Sequence, residues 1–363
     1  MAGSQRQLWY LLKSLDRSRF TPVVVFSEAP VFYDRPRGDI ELAVMPLRPW
    51  RKLRHFAGRY VDAHRLLRFA KDHRVDLIHC SYQWHYPYAL YVCKRLGIPV
   101  IQHIRRPGKE SDARRYQYHK AQAVIAISAR TEKQLCTNKA LVGKVVRIDD
   151  AVDLETFRYV AGDVLRREYS IDGGAVFGLV GRIKPGKRQL AFLEAGADML
   201  RRGHNACFFL IGPVEDEDYH NEIKRFIDAN KMNHRVFMTG QREVMPAVLS
   251  SLDVLVTLSG GSVMFEAMAC GKPVISAGFT RPQDAVHVRN GETGIVIESK
   301  ETAPLVDAML QLADNKPIRD KLATAAQSWA IVHLGCDSMS EKTQRVYDAI
   351  VDDTETKQGG ESV

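Results

Sequence analysis

The residues with the clearest chemical potential lie in residues 254–275, where an apolar run, a glycine-rich turn and a helix start follow each other. The turn and the first helical residue are Ser259, Gly260, Gly261, Ser262 and Val263. A helix N-terminus leaves backbone N–H groups unpaired and carries a partial positive charge, so this turn favours a phosphate or another anion. Glu266 follows one turn later, within reach of the hydroxyls of a ribose. A plain helix-capping loop is the alternative, since isolated glycine-rich turns are common.

A second cluster is basic and follows another predicted strand. Residues 175–180 have the pattern of a buried strand, and four basic side chains lie in the turn after it. Ligands of open α/β sheets bind at the carboxyl ends of the strands, which is where this turn begins. The guanidinium of Arg182 can hold a phosphate in a planar fork, and the ammonium of Lys187 can act as a point charge. Lys184 and Arg188 are interpreted as solvated side chains.

Three ordered motifs carry a resemblance to a known family. Gly181 and Arg182 are followed five positions later by Lys187, residues 266–275 read Glu-Ala-Met-Ala-Cys-Gly-Lys-Pro-Val-Ile, and residues 290–294 form an Asn-Gly-x-x-Gly turn. On these motifs the chain resembles the retaining family 4 glycosyltransferases of GT-B fold over nearly its whole length. The resemblance implies an α/β protein with two Rossmann-like, doubly wound parallel-sheet domains that face each other across a cleft.

The resemblance also implies an activity and a donor site. It implies transfer of a sugar from a nucleoside diphosphate sugar to a hydroxyl of a glycan or lipid-linked acceptor, with retention of anomeric configuration. Arg182 and Lys187 would bind the donor diphosphate, Glu266 the ribose, and the amides of residues 259–262 the sugar and phosphates. Gly181, Gly212 and Gly240 end strands near the expected nucleotide pocket, where their backbone would take part.

The sequence predicts no cofactor besides the donor and no metal. Arg182, Lys187 and the helix dipole suffice to neutralise a departing diphosphate. The acidic run Asp216, Glu217 and Asp218 is interpreted as a helix start, where acids are favoured by the dipole.

Two features depart from the family pattern. An ungapped alignment places Leu258 where the family has a second Glu, eight positions before the helix Glu, which puts the positioning of the donor sugar in doubt. The chain also begins at what resembles the first loop and helix, so the first strand of the N-terminal sheet is predicted to be missing. A truncated reading frame is the favoured explanation, because an open central strand edge is a liability for stability and aggregation.

The alternation of strand and helix patterns predicts four segments. Residues 1–157 form the N-terminal, acceptor-side domain, residues 158–335 the donor domain, residues 336–352 a helix that returns to the first domain, and residues 353–363 a disordered tail. A capping box at residues 338–341 is predicted to open the returning helix, which runs to about Val351.

Polar and aromatic residues after two N-terminal strands are candidates for the acceptor site. His103 and Arg105 follow one predicted strand, and Trp84 and His85 follow the preceding one. Family members often carry a His near the position of Arg105, and aromatic side chains can stack on sugar rings. For each of these residues a structural role is the alternative.

The overall composition fits a two-domain enzyme of the cytoplasm. The chain has 363 residues, 45% of them hydrophobic, and no apolar run long enough to span a bilayer. Its six cysteines show no paired metal-type spacing and are interpreted as free thiols in a reducing compartment.

The net charge of +9 is concentrated in residues 35–74, together with Trp50 and Phe56. This stretch is predicted to contact an anionic membrane at the cytoplasmic face, with a solvated helix face as the alternative. A nucleic-acid surface is disfavoured, because no recognisable binding module is present.

Two other functions remain open. A catalytically degenerate GT-B protein that binds a nucleotide or sugar is favoured by Leu258 and by the missing strand. A nucleotide-sugar epimerase would need an acid/base pair beside the sugar ring, and the sequence identifies none.

Overall fold

A computed structural model of the chain describes residues 3–29, 40–105, 108–277, 286–298 and 301–359. The chain divides into two compact units. Unit 1 comprises residues 1–150 and 336–363, and unit 2 comprises residues 151–335. The sequence places this division seven residues later, after residue 157.

Unit 1 alternates helices with short strands. Its elements up to residue 150 are α1 (Gly3–Ser14), β1 (Val23–Phe26), β2 (Glu41–Val44), α2 (Phe56–Asp72), β3 (Ile78–Cys80), α3 (Tyr86–Leu96), β4 (Val100–Ile104), α4 (Glu110–Arg115), β5 (Ala123–Ala126), α5 (Ala129–Cys136) and β6 (Val145–Arg147). Strands β3, β4, β5 and β6 pair in that order, and all their pairings are parallel. Strand β2 was missed by the sequence analysis, because three of its four residues are exposed and show no core pattern.

Strands β1 and β2 form a separate parallel pair. In the described residues β1 pairs only with β2 and β3 only with β4, so each of these two strands has one edge without a partner strand. Leu12 of α1 packs with Val24 and Ile40 in a small core of this pair. The absence of a first strand, expected from the sequence, stays a prediction.

Local sequence signals explain where several helices begin and end. Helix α3 ends at Gly97, whose φ of 71° is the left-handed conformation that glycine adopts at low cost. Helix α5 begins after Ser128, whose side chain accepts a hydrogen bond from the backbone N–H of Thr131 at 3.2 Å. These caps set the lengths of the two helices that flank the sheet of unit 1.

Unit 2 holds the larger sheet. Its elements are α6 (Val164–Glu168), β7 (Ala175–Val180), α7 (Gln189–Arg201), β8 (Ala206–Ile211), α8 (Glu217–Ala229), β9 (Val236–Gly240), α9 (Met245–Ser250), β10 (Val254–Thr257), α10 (Val263–Ala269), β11 (Val274–Ala277), β12 (Gly294–Ile297), α11 (Thr302–Asp314) and α12 (Lys316–His333). The strands pair in the order β12-β11-β10-β7-β8-β9, and every pairing is parallel. The predicted α/β class with doubly wound parallel sheets is confirmed.

Helices cover both faces of this sheet, as its residue pattern requires. Phe208 and Leu210 of β8 lie in one apolar cluster with residues of α7, α8 and α11. Cys207, Phe209 and Ile211 lie in a second cluster with residues of α9, α10 and α12. Successive side chains of a strand point to opposite faces, so a strand buried on both faces is apolar throughout. This explains the continuous apolar runs in the sequence.

The last helix, α13 (Cys336–Gly359), belongs to unit 1 and packs on α1. The hydroxyl of Ser340 donates to the backbone oxygen of Ser14 at 2.8 Å, and the side-chain oxygen of Gln344 accepts from the backbone N–H of Asp16 at 3.1 Å. Both side chains are buried, with exposures of 1% and 8%. The helix therefore returns to the N-terminal unit, as the sequence analysis expected.

This helix begins at residue 336, as the predicted segment does, but its predicted capping box and its predicted end were wrong. It begins at Cys336, so the capping box predicted at residues 338–341 lies inside its first turns. It also continues to Gly359, whereas a disordered tail was predicted from residue 353. The sequence between Asp352 and Gly359 contains no proline or interior glycine, so the helix continues through polar residues until a glycine ends it. Residues 360–363 lie outside the described residues.

Replacing Gln344 by alanine is expected to destabilise unit 1 by about 0.5–1.5 kcal/mol, because the N–H of Asp16 loses its hydrogen bond to a buried side chain. The measurement is the urea midpoint followed by far-UV circular dichroism. Arg345→Ala is the matched control, since that neighbouring side chain is 77% exposed and should change stability by less than about 0.5 kcal/mol. Equal midpoints for the two variants would contradict the role assigned to Gln344.

Candidate functional site

The sheet of unit 2 reverses its strand order between β7 and β10. Along the chain, β7, β8 and β9 extend toward one edge of the sheet, and β10, β11 and β12 extend toward the other. At such a switch point the connections leave on opposite faces of the sheet, and a crevice forms at the carboxyl ends of the two central strands. The basic turn after β7 and the glycine-rich turn after β10 both begin there. The structure thus brings together the two clusters that the sequence singled out.

A lysine links the two turns directly. Residues Pro185–Lys187 form a short 3-10 turn after β7, and the Nζ of Lys187 donates to the Oγ of Ser259 at 3.1 Å. Burial lowers the pKa of Lys187, and the neighbouring cations Lys184 and Arg182 lower it further. The ammonium group therefore lies in surroundings that disfavour its charge, and a bound anion would relieve this.

The glycines at the strand ends allow close backbone contact. A Cβ at Gly212 would lie 2.3 Å from the backbone oxygen of Gly181, which no side chain tolerates. The N–H of Gly212 donates to the backbone oxygen of Gly240 at 2.9 Å. The backbones of the three glycines therefore lie in contact across the ends of β7, β8 and β9, and their part in nucleotide binding stays a prediction.

The turn after β10 is built on glycine conformations. Gly260 and Gly261 have φ values of 66° and 117°, and the hydroxyl of Thr257 donates to the backbone oxygen of Gly260 at 3.3 Å. Helix α10 follows, and its Glu266 is only 4% exposed. Leu258 is also 4% exposed and belongs to the apolar core of unit 2. Leu258, which the sequence analysis aligned with the family's second Glu, is thus a core side chain.

Arg182 has a partner that the sequence analysis missed. Its guanidinium forms an ion pair with Glu215, which also pairs with the Nζ of Lys184 at 2.8 Å. The hydrogen bond from Lys184 and the charge of Arg182 lower the pKa of the Glu215 carboxyl. The Arg182 side chain remains 60% exposed. The carboxylate thus pairs with Arg182, which the sequence analysis assigned to a diphosphate, and with Lys184, which it interpreted as solvated. No motif in the sequence marks Glu215.

The third motif lies at the opposite edge of the same sheet. The side chain of Asn290 accepts from the N–H of Val296 at 3.0 Å, and Gly291 has a φ of 75°. The turn leads into the amino end of β12. These residues therefore shape the entry into a strand and do not line the crevice.

The predicted acceptor residues lie at one edge of the sheet of unit 1. Trp84 and His85 lie between β3 and α3, and His103 and Arg105 lie at the end of the neighbouring strand β4. Trp84 is 46% exposed. His85 is partly buried and contacts Tyr82, with ring centroids 5.9 Å apart.

His103 belongs to a buried chain of hydrogen bonds. Its Nδ1 lies 3.0 Å from the Nε2 of His79, whose Nδ1 lies 2.6 Å from the hydroxyl of Tyr347 on α13. His103 is 6% exposed, and its Nε2 has no hydrogen-bond partner among the described residues. Sequence alone could not have found this chain, because 268 positions separate His79 from Tyr347.

Arg105 is held by a carboxylate within the same unit. One of its terminal nitrogens lies 2.7 Å from the Oδ1 of Asp150, and the two side chains are 11% and 22% exposed. Burial raises the pKa of Asp150, and the charge of Arg105 opposes that shift. The ion pair with Asp150 therefore supports a structural role for Arg105, which the sequence analysis gave as the alternative.

The acidic run after β8 opens a helix, as predicted. Asp216 is the N-cap of α8, and its side chain accepts from the backbone N–H of Tyr219 at 3.0 Å. Across the described residues, no three His, Cys, Asp or Glu side chains are grouped closely enough to hold a metal ion.

Comparison with known families decides what this arrangement belongs to. The signature described as "Glycosyl transferases group 1" matches residues 163–329, and that described as "Glycosyltransferase Family 4" matches residues 1–156. The chain belongs to the family 4 glycosyltransferases of group 1. The two matches together cover both units, so the resemblance noted from the three motifs is confirmed.

Individual relatives of this glycosyltransferase are distant. It is 24% identical over 269 residues to alpha-D-kanosaminyltransferase of Streptomyces kanamyceticus, covering 66% of this chain and 67% of the relative. It is 27% identical over 209 residues to 2-deoxystreptamine glucosyltransferase of the same organism, covering 53% of each chain. The chain thus spans between about half and two thirds of these relatives' lengths.

A solved structure supports the GT-B fold. The crystal structure of Anabaena HepE in complex with UDP and glucose has a TM-score of 0.79, with 19% identity and 96% of each chain covered. The predicted GT-B class is therefore confirmed for this glycosyltransferase. At this identity the likeness concerns the fold, and the roles of individual residues stay predictions.

Removing the carboxylate of Glu215 is expected to strengthen anion binding at the crevice. Glu215→Gln frees Arg182 and Lys184 from a competing negative charge, so the affinity for inorganic pyrophosphate should rise about two- to fivefold, the range of an exposed ion pair. Isothermal titration calorimetry measures it. Glu217→Gln removes the same charge from a carboxylate that pairs with His220 instead, and should leave the affinity unchanged. Weaker binding to Glu215→Gln would show that the carboxylate orients the cations.

Acidification is expected to destabilise unit 1 through its buried histidines. Burial, reinforced by Arg105, lowers the pKa of His79 to about 3 and holds that of His103 well below its usual value. In the unfolded chain each of the two histidines takes up a proton near pH 6.5. The part of the free energy of unfolding that depends on these histidines is therefore complete above that pH and is lost as the pH falls below it. The loss is about 1.4 kcal/mol per pH unit for each histidine that stays neutral when folded.

The measurement is the urea midpoint between pH 7.5 and 5. His103→Asn should show a shallower dependence on pH than the unaltered protein. His119→Gln, a change at an exposed histidine of the same unit, should keep the steep dependence. Identical slopes for all three proteins would rule out the buried pair as the cause.

Proposed function

We propose that the protein transfers a sugar from a nucleoside diphosphate sugar to a hydroxyl of a glycan or lipid-linked acceptor, with retention of anomeric configuration. The observation that carries this proposal is the meeting of two turns at the switch point of unit 2. There the Lys187 ammonium bridges to Ser259 of the glycine-rich turn, and Arg182 and Glu266 extend from the same two connections. Family membership supplies the reaction class.

The donor is proposed to lie with its diphosphate against the cations of the first turn. Arg182, 60% exposed, can hold two phosphate oxygens in its planar fork, and the partly desolvated Lys187 adds a point charge. Glu266 would accept hydrogen bonds from the ribose. UDP is the first nucleotide to test, because the structurally similar HepE was solved with UDP and glucose.

The proposed chemistry is displacement on the face from which the diphosphate departs. Negative charge develops on the leaving phosphate, where Arg182 and Lys187 stabilise it. The same phosphate takes the proton of the attacking acceptor hydroxyl, so the enzyme supplies positioning and charge rather than a nucleophile. The reaction is proposed to use no resident metal or cofactor.

The acceptor is proposed to bind at the carboxyl ends of β3 and β4 in unit 1. Trp84 offers an exposed ring for stacking on a sugar, and His85 lies beside it. The buried Nε2 of His103 is a hydrogen-bonding group without a partner among the described residues. Arg105 would act from within its ion pair with Asp150.

A nucleotide-sugar-binding protein without turnover is the second candidate. Leu258 favours it, because an apolar core side chain lies where the family has an acid. Binding of a donor without transfer to any acceptor would support this candidate over the enzyme.

Cytoplasmic location and peripheral contact with an anionic membrane are proposed as well. No helix in the described ranges is both long and apolar enough to cross a bilayer. None of the six cysteines, all of which lie in the described ranges, forms a disulfide. Phe56 at the start of α2 is 55% exposed, and the same helix carries the exposed Arg65 and Arg68. Arg35 and Arg37 of the predicted basic stretch lie outside the described residues. No binding of nucleic acid is proposed.

Arg182→Ala is expected to abolish the thermal stabilisation that a nucleoside diphosphate gives the protein, because the phosphate loses its forked donor. UDP, GDP and ADP are compared by differential scanning fluorimetry. Where a donor sugar and acceptor support turnover, kcat should fall on the order of a hundredfold.

Arg225→Ala is the control for this change, since Arg225 is exposed on α8 and bonds only the backbone oxygen of Asn221. It should keep both the stabilisation and the turnover. If Arg182→Ala responds to nucleotides as the control does, the donor-site assignment is wrong.

A further inference from the structure

Unit 1 contains a basic groove away from the residues proposed to bind the acceptor. The groove is a cleft of about 900 Å³. Its cations are Arg51, Lys94, Arg95, Arg115 and Lys120, and its aromatic walls are Trp50, Tyr91 and Tyr116. Among the residues that the structure describes, no Asp or Glu lines it.

The basic groove lies at the amino-terminal edge of the sheet. Pro99 and Val100, which begin β4, and Gln122, which precedes β5, form its floor. In a parallel sheet the amino ends of all strands share one edge, and the carboxyl ends share the other. Trp84 and His103 lie at the carboxyl edge, so the groove is separate from the proposed acceptor site.

Aromatic rings and one backbone oxygen hold the guanidinium groups in place. Arg95 lies 3.5 Å from the ring centroid of Tyr91, and Arg51 and Arg115 lie 5.9 and 5.7 Å from that of Tyr116. A terminal nitrogen of Arg51 also donates to the backbone oxygen of Arg115 at 2.9 Å. Stacking on a ring leaves the N–H edge of a guanidinium available to an anion.

Within the described part of the chain, none of the five cations forms an ion pair with a carboxylate. Lys94 and Arg95 lie in the last turn of α3, where a helix end favours positive charge. That effect does not account for Arg51 and Lys120, which come from other segments. Five like charges around one cleft repel each other, and a concave surface concentrates their field on an anion.

We propose that the basic groove binds a ligand that carries phosphate ester groups. The forked donors match phosphate oxygens, and the rings of Trp50, Tyr91 and Tyr116 give the organic part of such a ligand an apolar surface. The phosphate can belong to a soluble ester or to the head group of an anionic lipid. The groove requires neither the donor crevice nor transfer of a sugar.

The test uses the full chain and the variant Lys94→Ala/Arg115→Ala/Lys120→Ala, which changes three exposed side chains. The soluble probe is glycerol 3-phosphate, measured by calorimetry against chloride at equal ionic strength. The lipid probe is vesicles of phosphatidylcholine with and without phosphatidic acid, measured by co-sedimentation. We expect binding to at least one probe and a loss of about tenfold or more in the triple variant.

Lys224→Ala/Arg225→Ala/Lys321→Ala removes the same charge from exposed positions of unit 2 and should bind as the unaltered protein does. Binding of glycerol 3-phosphate alone would identify a soluble ester as the source of the phosphate. Binding of the phosphatidic acid vesicles alone would identify a lipid head group. No binding to either probe, or equal losses in both triple variants, would overturn the proposal. The groove variant should keep its melting temperature and its stabilisation by UDP, which separates this result from failure of the donor site.

Discussion

The strand order of unit 2 reverses between β7 and β10, and the candidate donor site depends on that reversal. The helices that follow these two strands, α7 and α10, pack in different apolar clusters, and at such a reversal open α/β sheets bind their ligands. The hydrogen bond from Lys187 to Ser259 joins the turns after these two strands. The two bonded residues are 72 positions apart in the sequence, so the strand order is what brings the two turns into contact.

The floor of this crevice requires strand ends that approach each other at backbone distance. Gly212 meets the backbone oxygen of Gly181, where a Cβ would lie at 2.3 Å. Side chains at these positions would separate β7 from β8 or tilt the turn that carries Arg182. The position of Arg182 therefore depends on the glycines, and Glu215 balances the charge of Arg182 and Lys184.

The burial and the partners of the candidate polar residues differ between unit 1 and unit 2. Its candidate residues His103 and Arg105 are buried and bound within the unit, by His79 and by Asp150. Burial keeps the two histidines neutral, so they can share one hydrogen-bonded chain with Tyr347 without mutual repulsion. Five exposed cations of this unit instead lie around the basic groove, whose described lining contains aromatic rings and no carboxylate.

The sequence alone determined the α/β class, most strands and the residues of the two turns after β7 and β10. The period of apolar residues, the positions of glycines and the clustering of charges are local features, so they can be read without the fold. It missed β2, which is exposed, and placed the end of α13 too early, because polar helical residues resemble a disordered tail. Only the tertiary structure decided that Glu215 pairs with Arg182, that Tyr347 reaches His79, and that distant cations share one groove. Such contacts depend on the order of the strands in each sheet and on where the helices pack. No local sequence pattern encodes either.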